Sequence, residues 1–407
     1  MRKTHLRALN SLLALGMLSA AVQSHAQDSP PPPPIFPTII THPTNNNGYE
    51  EFIRAADIVK NDSDLDKASS PGATLTIKRK AVFSENAKAA LQLIREGLAK
   101  PIKSPRSQID ENTLFPEFAY FRRIGRLLGA KIYVDFADGQ VNSAIDTLRL
   151  GLEFSNRIQL DTLISGLIGI AIESTIERSF ALHLDMLSFY DCDALLRTAL
   201  ECMNDETPAV RVFAYEASFM ASMLERNRSN ISALLGTLNQ LPAENPGSPE
   251  MQALFDRIKA HPEELHTAIT SAESIVKQTF AIAVENVNLP ADKRKPYLHG
   301  QSNRLEDMLS NAFTIDLSTV VDRYTVSRTK LYLLALHALI HKYKWEHGVY
   351  PGGLAELHRP ELTTDLMTGK AFTYTLKDDI YTLSAVGLSK KGANGEALPQ
   401  RDSITLP

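Results

Sequence analysis

Apolar residues recur at helical spacing along most of the chain, with polar residues between them. The clearest case is the region 118–180, which begins with Phe118, Phe121, Ile124, Leu128, Ile132 and Phe136. Residues three or four positions apart share one face of a helix. Asp138-Gly139 then predicts a helix end, because glycine accepts the left-handed backbone conformation. The region therefore predicts three consecutive helices.

The third of these helices is the most apolar. Asp161 or Thr162 caps its start, and the following LISGLIGIAI has no charged residue over ten positions. A membrane span needs about 20 apolar residues, so this segment predicts a buried helix. Gly166 and Gly169 lie three apart on it and predict the close approach of another helix.

The second helix and the turn before it resemble a tetratricopeptide repeat. The matching residues are Gly139, Ala144, Ile145, Leu148 and Gly151. Ala130 and Tyr133 of the first helix are displaced by about two positions from the motif. No second copy follows at a fixed period, so the resemblance covers one hairpin. It implies a binding groove, and the alternative is an ordinary αα-hairpin.

Helical patterns also cover most of the remaining chain. They include Tyr49–Lys60, 84–100, Cys192–Met203, Val210–Leu241, a helix from Pro262 to about Val287, and one from Asp316 or Ser318 to His347. The segment Asn61–Ala73 is rich in Asp, Ser and Gly and predicts a loop. The fold class predicted is mostly α, a multi-helix domain of packed αα-hairpins with a small C-terminal helix-plus-β-hairpin (α+β) module.

The β-hairpin is predicted from AFTYTL and IYTLSAV, which alternate apolar and polar residues around Lys377-Asp378-Asp379. Four regions follow from these patterns. We predict a signal peptide at 1–26, a Pro/Asn-rich linker at 27–47, a helical domain at 48–315, and a long helix with the α+β module at 316–407.

The first 26 residues have the features of a secretory signal. Arg2, Lys3 and Arg7 precede an apolar stretch, and Ser24-His25-Ala26 forms a small-x-small cleavage site. Cleavage after Ala26 predicts a periplasmic or secreted protein. The mature chain contains no other stretch of about 18 apolar residues, which predicts that it has no integral membrane span.

Charge and cysteine content restrict the function further. Removing the signal changes 43 basic and 47 acidic residues to 40 and 47, a net charge of −7. This charge argues against a nucleic-acid partner. Cys192 and Cys202 lie on one predicted helix, where ten residues place them about 15 Å apart, too far for a disulfide.

The region 330–396 resembles the globular domain of type II secretion major pseudopilins. The resemblance rests on Tyr350-Pro351, Leu354 and Leu357, Asp365, Gly369, Phe372, Tyr374, Tyr381, Ser384 and Gly387. It implies a helix, a short second helix, and two strands that lead into a Gly-rich loop. Leu366 replaces the family's proline, and the chain lacks the prepilin signature, so it is not itself a pilus subunit.

In pseudopilins the last loop resembles a calcium site. Here Asp378, Asp379, Asn394 and Glu396 offer oxygen ligands, while two lysines replace part of an acidic run. The resemblance implies calcium as the candidate ion. The sequence indicates no other cofactor.

Two further pairs of residues have spacings that suit chemistry. His337 and His341 lie four apart on one helix face and form an alternative metal site, although no glutamate follows His337 as it does in zinc proteases. The other interpretation is structural histidines. Glu173 and Glu177 suit acid–base work or metal binding, and a solvated helix edge is the alternative.

These observations favour a non-enzymatic role in protein interaction or scaffolding in the cell envelope, with the central hairpin as the binding surface. The partner expected is a protein. The alternative is a metal-dependent or hydrolytic enzyme with a pocket between the central helices.

Overall fold

The computed structural model describes residues 39–40, 43–106, 109, 113–204, 208–229, 256–258, 260–298, 305–312, 316–391 and 397–406. Its α-helices are α1 Gly48–Val59, α2 Ser63–Ala68, α3 Leu75–Val82, α4 Glu85–Leu98, α5 Glu117–Ala137, α6 Val141–Arg157, α7 Leu163–Ala181, α8 Phe189–Asn204, α9 Pro208–Ser229, α10 Leu265–Asn286, α11 Leu305–Ala312 and α12 Leu317–His347. Short 3-10 helices lie at Leu184–Met186, Pro262–Glu264, Ala291–Lys293 and Leu354–Leu357. The strands are β1 Thr373–Lys377, β2 Ile380–Lys391 and β3 Ala397–Ile404.

The mostly helical fold predicted from the sequence is confirmed, including the three consecutive helices α5, α6 and α7. Gly139 has a φ of 71° between α5 and α6, which is the left-handed conformation that ends the first helix. The hydroxyl of Thr162 accepts a hydrogen bond from the backbone N–H of Ser165 at 3.3 Å. Thr162 therefore caps α7, as one of the two residues predicted.

The loop predicted for Asn61–Ala73 is wrong, because α2 lies within it. The Asp62 carboxylate accepts hydrogen bonds from the backbone N–H groups of Asp64 and Leu65, each at 3.0 Å. Leu65 is 2% exposed and joins the main core. A capping aspartate and one buried leucine thus suffice for a short helix in a segment of turn-forming composition.

The described residues form two hydrophobic cores, and α7 and α12 belong to both. The larger core joins α1 to α8 with the second half of α12 and the sheet. The smaller core joins the start of α7 with α9, α10, α11 and the first half of α12. The two shared helices contact each other where the cores meet.

The sheet has the order β1-β2-β3 and is antiparallel. Asp378 and Asp379 form the β1–β2 turn with φ values of 52° and 60°, which a two-residue hairpin of type I′ requires. The third strand was not predicted. It pairs with β2 from Ala385 opposite Ile404 onward. Among the described strands, residues 380–384 of β2 therefore pair only with β1.

No helix in the described part of the chain combines the length with the apolar character that crossing a membrane requires.

Replacing Gly48 by alanine should destabilise the fold strongly. A Cβ at this position would lie 2.0 Å from the backbone oxygen of Gly97, where α1 meets α4, and backbone cannot move away as a flexible side chain can. We expect Gly48→Ala to lower the free energy of unfolding by about 2–3 kcal/mol, measured by urea denaturation. Gly353→Ala is the control, because nothing lies within 4 Å of its added carbon. Equal stabilities of the two variants would contradict this packing.

Candidate functional site

An open groove of about 1080 Å³ lies between the C-terminal half of α12, the end of α7 with the following 3-10 helix, and the first residues of β2. Its apolar and aromatic lining consists of Ala181, Leu182, Leu184, Leu187, Trp345, Tyr350, Ile380, Tyr381, Leu383 and Leu406. The volume is in the range of ligand-binding clefts. We take this groove as the candidate functional site.

His337, His341 and Tyr381 form the floor of the groove. The Nδ1 atom of His337 lies 2.5 Å from the hydroxyl of Tyr381, and the two groups share a hydrogen bond. Burial, and secondarily the charge of His341, lowers the pKa of His337 to about 3. His337 is therefore a neutral structural group at neutral pH and lacks the pKa that suits a general base.

His341 is 8% exposed and contacts the rings of Tyr350 and Tyr381. Its Nε2 atom lies 3.7 Å from an oxygen of Asp185. Burial lowers the pKa of His341, and the Asp185 carboxylate opposes that effect only in part. Both histidines thus serve the packing between α12 and the sheet.

The rim of the groove combines one ion pair with exposed apolar side chains. Lys344 lies 2.9 Å from the Asp379 carboxylate and 3.8 Å from the centre of the Tyr350 ring. The Trp345 indole N–H donates to the carbonyl of Leu187 at 3.2 Å, yet 61% of the residue remains exposed. Ile380 is 70% exposed at the tip of the hairpin.

One edge of β2 faces this groove without a strand beside it. In a two-residue hairpin the residues that flank the turn, here Lys377 and Ile380, form the first hydrogen-bonded pair. The pairs then alternate, so the backbone N–H and C=O groups of Tyr381 and Leu383 point away from β1. No described strand pairs with β2 at these two residues, since β3 begins its pairing at Ala385.

The metal ligands predicted from the sequence are only partly placed. Asp378 and Asp379 lie exposed in the hairpin turn, where Asp379 pairs with Lys344. Asn394 and Glu396 lie outside the described residues. Over the described part of the chain, no group of three or more His, Cys, Asp or Glu side chains could hold a metal ion. The calcium site therefore stays a prediction.

The solvated edge considered for Glu173 and Glu177 is wrong, because α12 covers this face of α7. Glu177 is 0% exposed, and Glu173 accepts a hydrogen bond from the hydroxyl of Ser327 at 2.7 Å. Burial raises the pKa of both carboxyl groups, and the neighbouring Glu173 carboxylate raises that of Glu177 further. The sequence did not reveal this, because α12 follows α7 by more than 130 residues.

The central hairpin α5–α6 presents its small residues to α7. Added Cβ atoms would lie 3.0 Å from Ile172 at Gly125 and 2.4 Å from Ile176 at Gly151. These glycines therefore serve helix packing. The other side of α6 borders a depression of about 400 Å³ whose lining is largely charged, with Arg95, Asp146, Arg149 and Glu153. The apolar groove lies elsewhere, between α12 and β2.

Sequence reasoning missed most residues of the groove. It treated Tyr381 only as a matching residue of the pseudopilin resemblance. The sequence contained one signal for this groove. Trp345 is the single tryptophan of the chain, and the predicted hairpin with Ile380 follows it. Leu182, Leu184 and Leu187 gave no signal, because they lie between two helices in an unremarkable apolar segment.

Comparisons with protein-family models, with curated proteins and with solved structures found no match to this chain.

The buried carboxyl group of Glu216, which contacts the start of α7, makes the free energy of unfolding depend on pH. Glu216 of α9 accepts a hydrogen bond from the backbone N–H of Leu163 at 3.0 Å, and burial raises its pKa from 4.5 to about 7. The folded state then holds this proton more tightly than the unfolded state, so the contribution to stability is lost as pH rises through this range.

We expect the free energy of unfolding of the native chain, relative to Glu216→Gln, to fall by about 3 kcal/mol between pH 4.5 and 7. Glutamine keeps an oxygen for the Leu163 N–H and does not titrate. Urea denaturation at several pH values measures the difference. Glu85→Gln, at a side chain that is 88% exposed, is the control. If the difference in free energy of unfolding between the native chain and Glu216→Gln were the same at every pH, this would contradict the burial of the Glu216 carboxyl.

Proposed function

We propose that this chain is an exported, non-enzymatic protein-interaction component of the cell envelope that binds an extended segment of a partner protein in the α12–β2 groove. The observation that carries the proposal is the open edge of β2 at Tyr381 and Leu383, which faces the groove. An extended peptide can add to such an edge as a further strand. Its backbone would then pair with the groups that β1 and β3 leave unpaired.

The side chains beside this edge suit an alternating partner sequence. Leu383 is buried against the helical layer, whereas Ile380 and Thr382 are exposed on the other face of β2. A strand added next to β2 has the same alternation, because successive side chains point to opposite faces. We expect the partner segment to place apolar residues towards Leu184 and Leu187 and polar residues towards solvent.

Large apolar side chains remain exposed in the groove. Leu182 is 57% exposed, Trp345 61% and Ile380 70%, and all three line it. Contiguous exposed apolar surface is costly for a protein that has no partner for it. A tryptophan at the rim is also typical of residues that dominate binding energy in protein interfaces.

The titratable groups of the groove support binding better than catalysis. His337 is neutral and bonded to Tyr381, and Lys344 is paired with Asp379. The cavity between the central helices, beside Glu173, has a volume of about 60 Å³. Substrate pockets usually have several hundred Å³, so this cavity is too small for the active site of the alternative enzyme.

A photo-crosslinking amino acid at position 380 should label one partner. We expect p-benzoylphenylalanine in place of Ile380 to crosslink, in envelope extracts, to one extended segment of one protein. The same residue in place of Phe83, which is 53% exposed on another face of the fold, is the control. Mass spectrometry locates the crosslinked segment. Labelling that is the same at both positions would contradict the proposal.

A synthetic peptide of the crosslinked segment then tests the binding mode. We expect Leu182→Glu to weaken its affinity at least tenfold, about 1.4 kcal/mol, because Leu182 lines the helical side of the groove and a carboxylate there would be buried against the apolar residues of the bound segment. Fluorescence anisotropy measures the affinity, with Phe83→Glu as the control. Equal affinities of the two variants would remove the groove as the binding site.

Export is tested separately. When the full chain is expressed in a Gram-negative host, we expect the mature N-terminus to be Gln27, since Ser24-His25-Ala26 provides the cleavage site. Intact mass spectrometry of the periplasmic fraction measures it. Replacing Ala26 by phenylalanine should block cleavage at this point. A cytoplasmic protein that retains Met1 would contradict export.

A further inference from the structure

One acidic side chain lies on the helical wall of the α12–β2 groove. Asp185 belongs to the 3-10 helix Leu184–Met186, and the apolar side chains of Leu184 and Leu187 line the groove beside it. The side chain of Asp185 is 95% exposed. A segment that occupies the groove therefore lies beside this carboxylate.

The fold does not use the Asp185 carboxylate. In the described part of the chain its single polar contact is the Nε2 atom of His341 at 3.7 Å, and burial lowers the pKa of that histidine. The following helix α8 does not use Asp185 as a cap, because Asp191 accepts the hydrogen bond from the backbone N–H of Ser188 at 2.9 Å. The negative charge of Asp185 is thus left without a cationic partner among the described residues at neutral pH.

The lining of the groove carries one net negative charge. Its charged residues are Asp185, Asp379 and Lys344. The ammonium of Lys344 lies 2.9 Å from the carboxylate of Asp379, so these two charges balance each other. His337 and His341 add no charge at neutral pH, because burial lowers the pKa of both. The unbalanced charge is that of Asp185.

The next lysine on this part of α12 also has a carboxylate of its own. Lys342 follows His341, and its ammonium lies 2.7 Å from the carboxylate of Asp193 on α8. It also lies 5.0 Å from the centre of the Phe189 ring, outside the lining of the groove. An occupant of the groove is therefore the natural source of a cation for Asp185.

An exposed aromatic ring lies on the same wall as this carboxylate. Trp345 follows His341 by one turn of α12, and its indole N–H donates to the carbonyl of Leu187, two residues after Asp185. Most of the tryptophan remains exposed. Aromatic faces attract ammonium and guanidinium groups, and the aliphatic stems of lysine and arginine pack on apolar surface. A basic side chain can thus contact the indole with its stem and reach Asp185 with its charged end.

Within the peptide-binding function proposed for this groove, on which this inference rests, we propose that Asp185 and Trp345 select partner segments that carry a lysine or arginine at one position. The stem of that residue lies on the indole of Trp345, and its charged end pairs with the carboxylate of Asp185. Complementary charges contribute more to specificity than to affinity, because a like charge at the same place is rejected. An acidic residue at this position of the partner is therefore excluded.

Selection from a random peptide library displayed on phage tests this preference on the mature chain. Peptides that also bind Leu182→Glu are removed first, because this variant has an altered groove. We expect the remaining peptides to share alternating apolar residues and a lysine or arginine at one position. Asp185→Lys should select aspartate or glutamate there instead. Glu85→Lys, the same change in charge at an exposed side chain outside the groove, is the control and should retain the basic residue.

Each contrary result of the selection has a different meaning. Alternating peptides without a preference for lysine or arginine would overturn the role of Asp185 and leave the peptide-binding groove. A basic residue that both the native chain and Asp185→Lys select would place its contact elsewhere and would also overturn that role. If no alternating peptide were selected, the proposed function of the groove would be wrong as well.

A double-mutant cycle then measures the pair directly. At low ionic strength we expect Asp185→Asn to weaken the affinity for a selected lysine peptide about threefold, the effect of a largely exposed ion pair. The same peptide with norleucine in place of the lysine should bind both chains equally. Fluorescence anisotropy measures the affinities, and added salt should reduce the difference. An equal effect of Asp185→Asn on both peptides would overturn the proposal.

Discussion

The packing of α7 against four other helices is the constraint on which the structure depends. Two neighbours, α5 and α6, meet it through glycines that admit Ile172 and Ile176 of α7. On its other sides α7 contacts α9 and α12, and it contributes to both hydrophobic cores. Each functional feature of the protein depends on the position of α7. The backbone N–H of its first residue, Leu163, donates a hydrogen bond to Glu216. Its middle borders the cavity beside Glu173, and its end forms a wall of the groove.

The helical part of this fold follows from local signals. The sequence shows the cap Thr162, the break at Gly139 and the apolar spacing of α5, because each of these signals acts within a few residues. The hairpin turn was also predictable, since Asp378 and Asp379 tolerate the left-handed conformation that a short antiparallel turn needs. The segment Asn61–Ala73 was misinterpreted because its composition hides a single capped turn of helix.

The sites were far less predictable than the helices. Glu173 and Glu177 look like surface residues, because charged side chains on an apolar helix are usually solvated and the covering helix α12 is distant in sequence. The groove could not be predicted for the same reason, since it is formed by segments that are distant in sequence. Its walls come from the end of α7, from α12 and from β2, and only the fold brings Leu184, Trp345 and Ile380 together. His337 and His341 have metal-ligand spacing, yet tertiary packing places them against Tyr381 as buried aromatic neighbours. The alternative metal site at these two histidines stays a prediction.

The peptide-binding groove depends on the open edge of β2, and amide hydrogen exchange measured by NMR tests this edge most directly. The hairpin register predicts that the amides of Thr382 and Ser384, which point to β1, are protected. The amides of Tyr381 and Leu383 should exchange much faster in the free protein and become protected when a partner segment is bound. Slow exchange at Tyr381 and Leu383 in the free protein would show that this edge already has a partner within the chain, and it would contradict a peptide-binding groove.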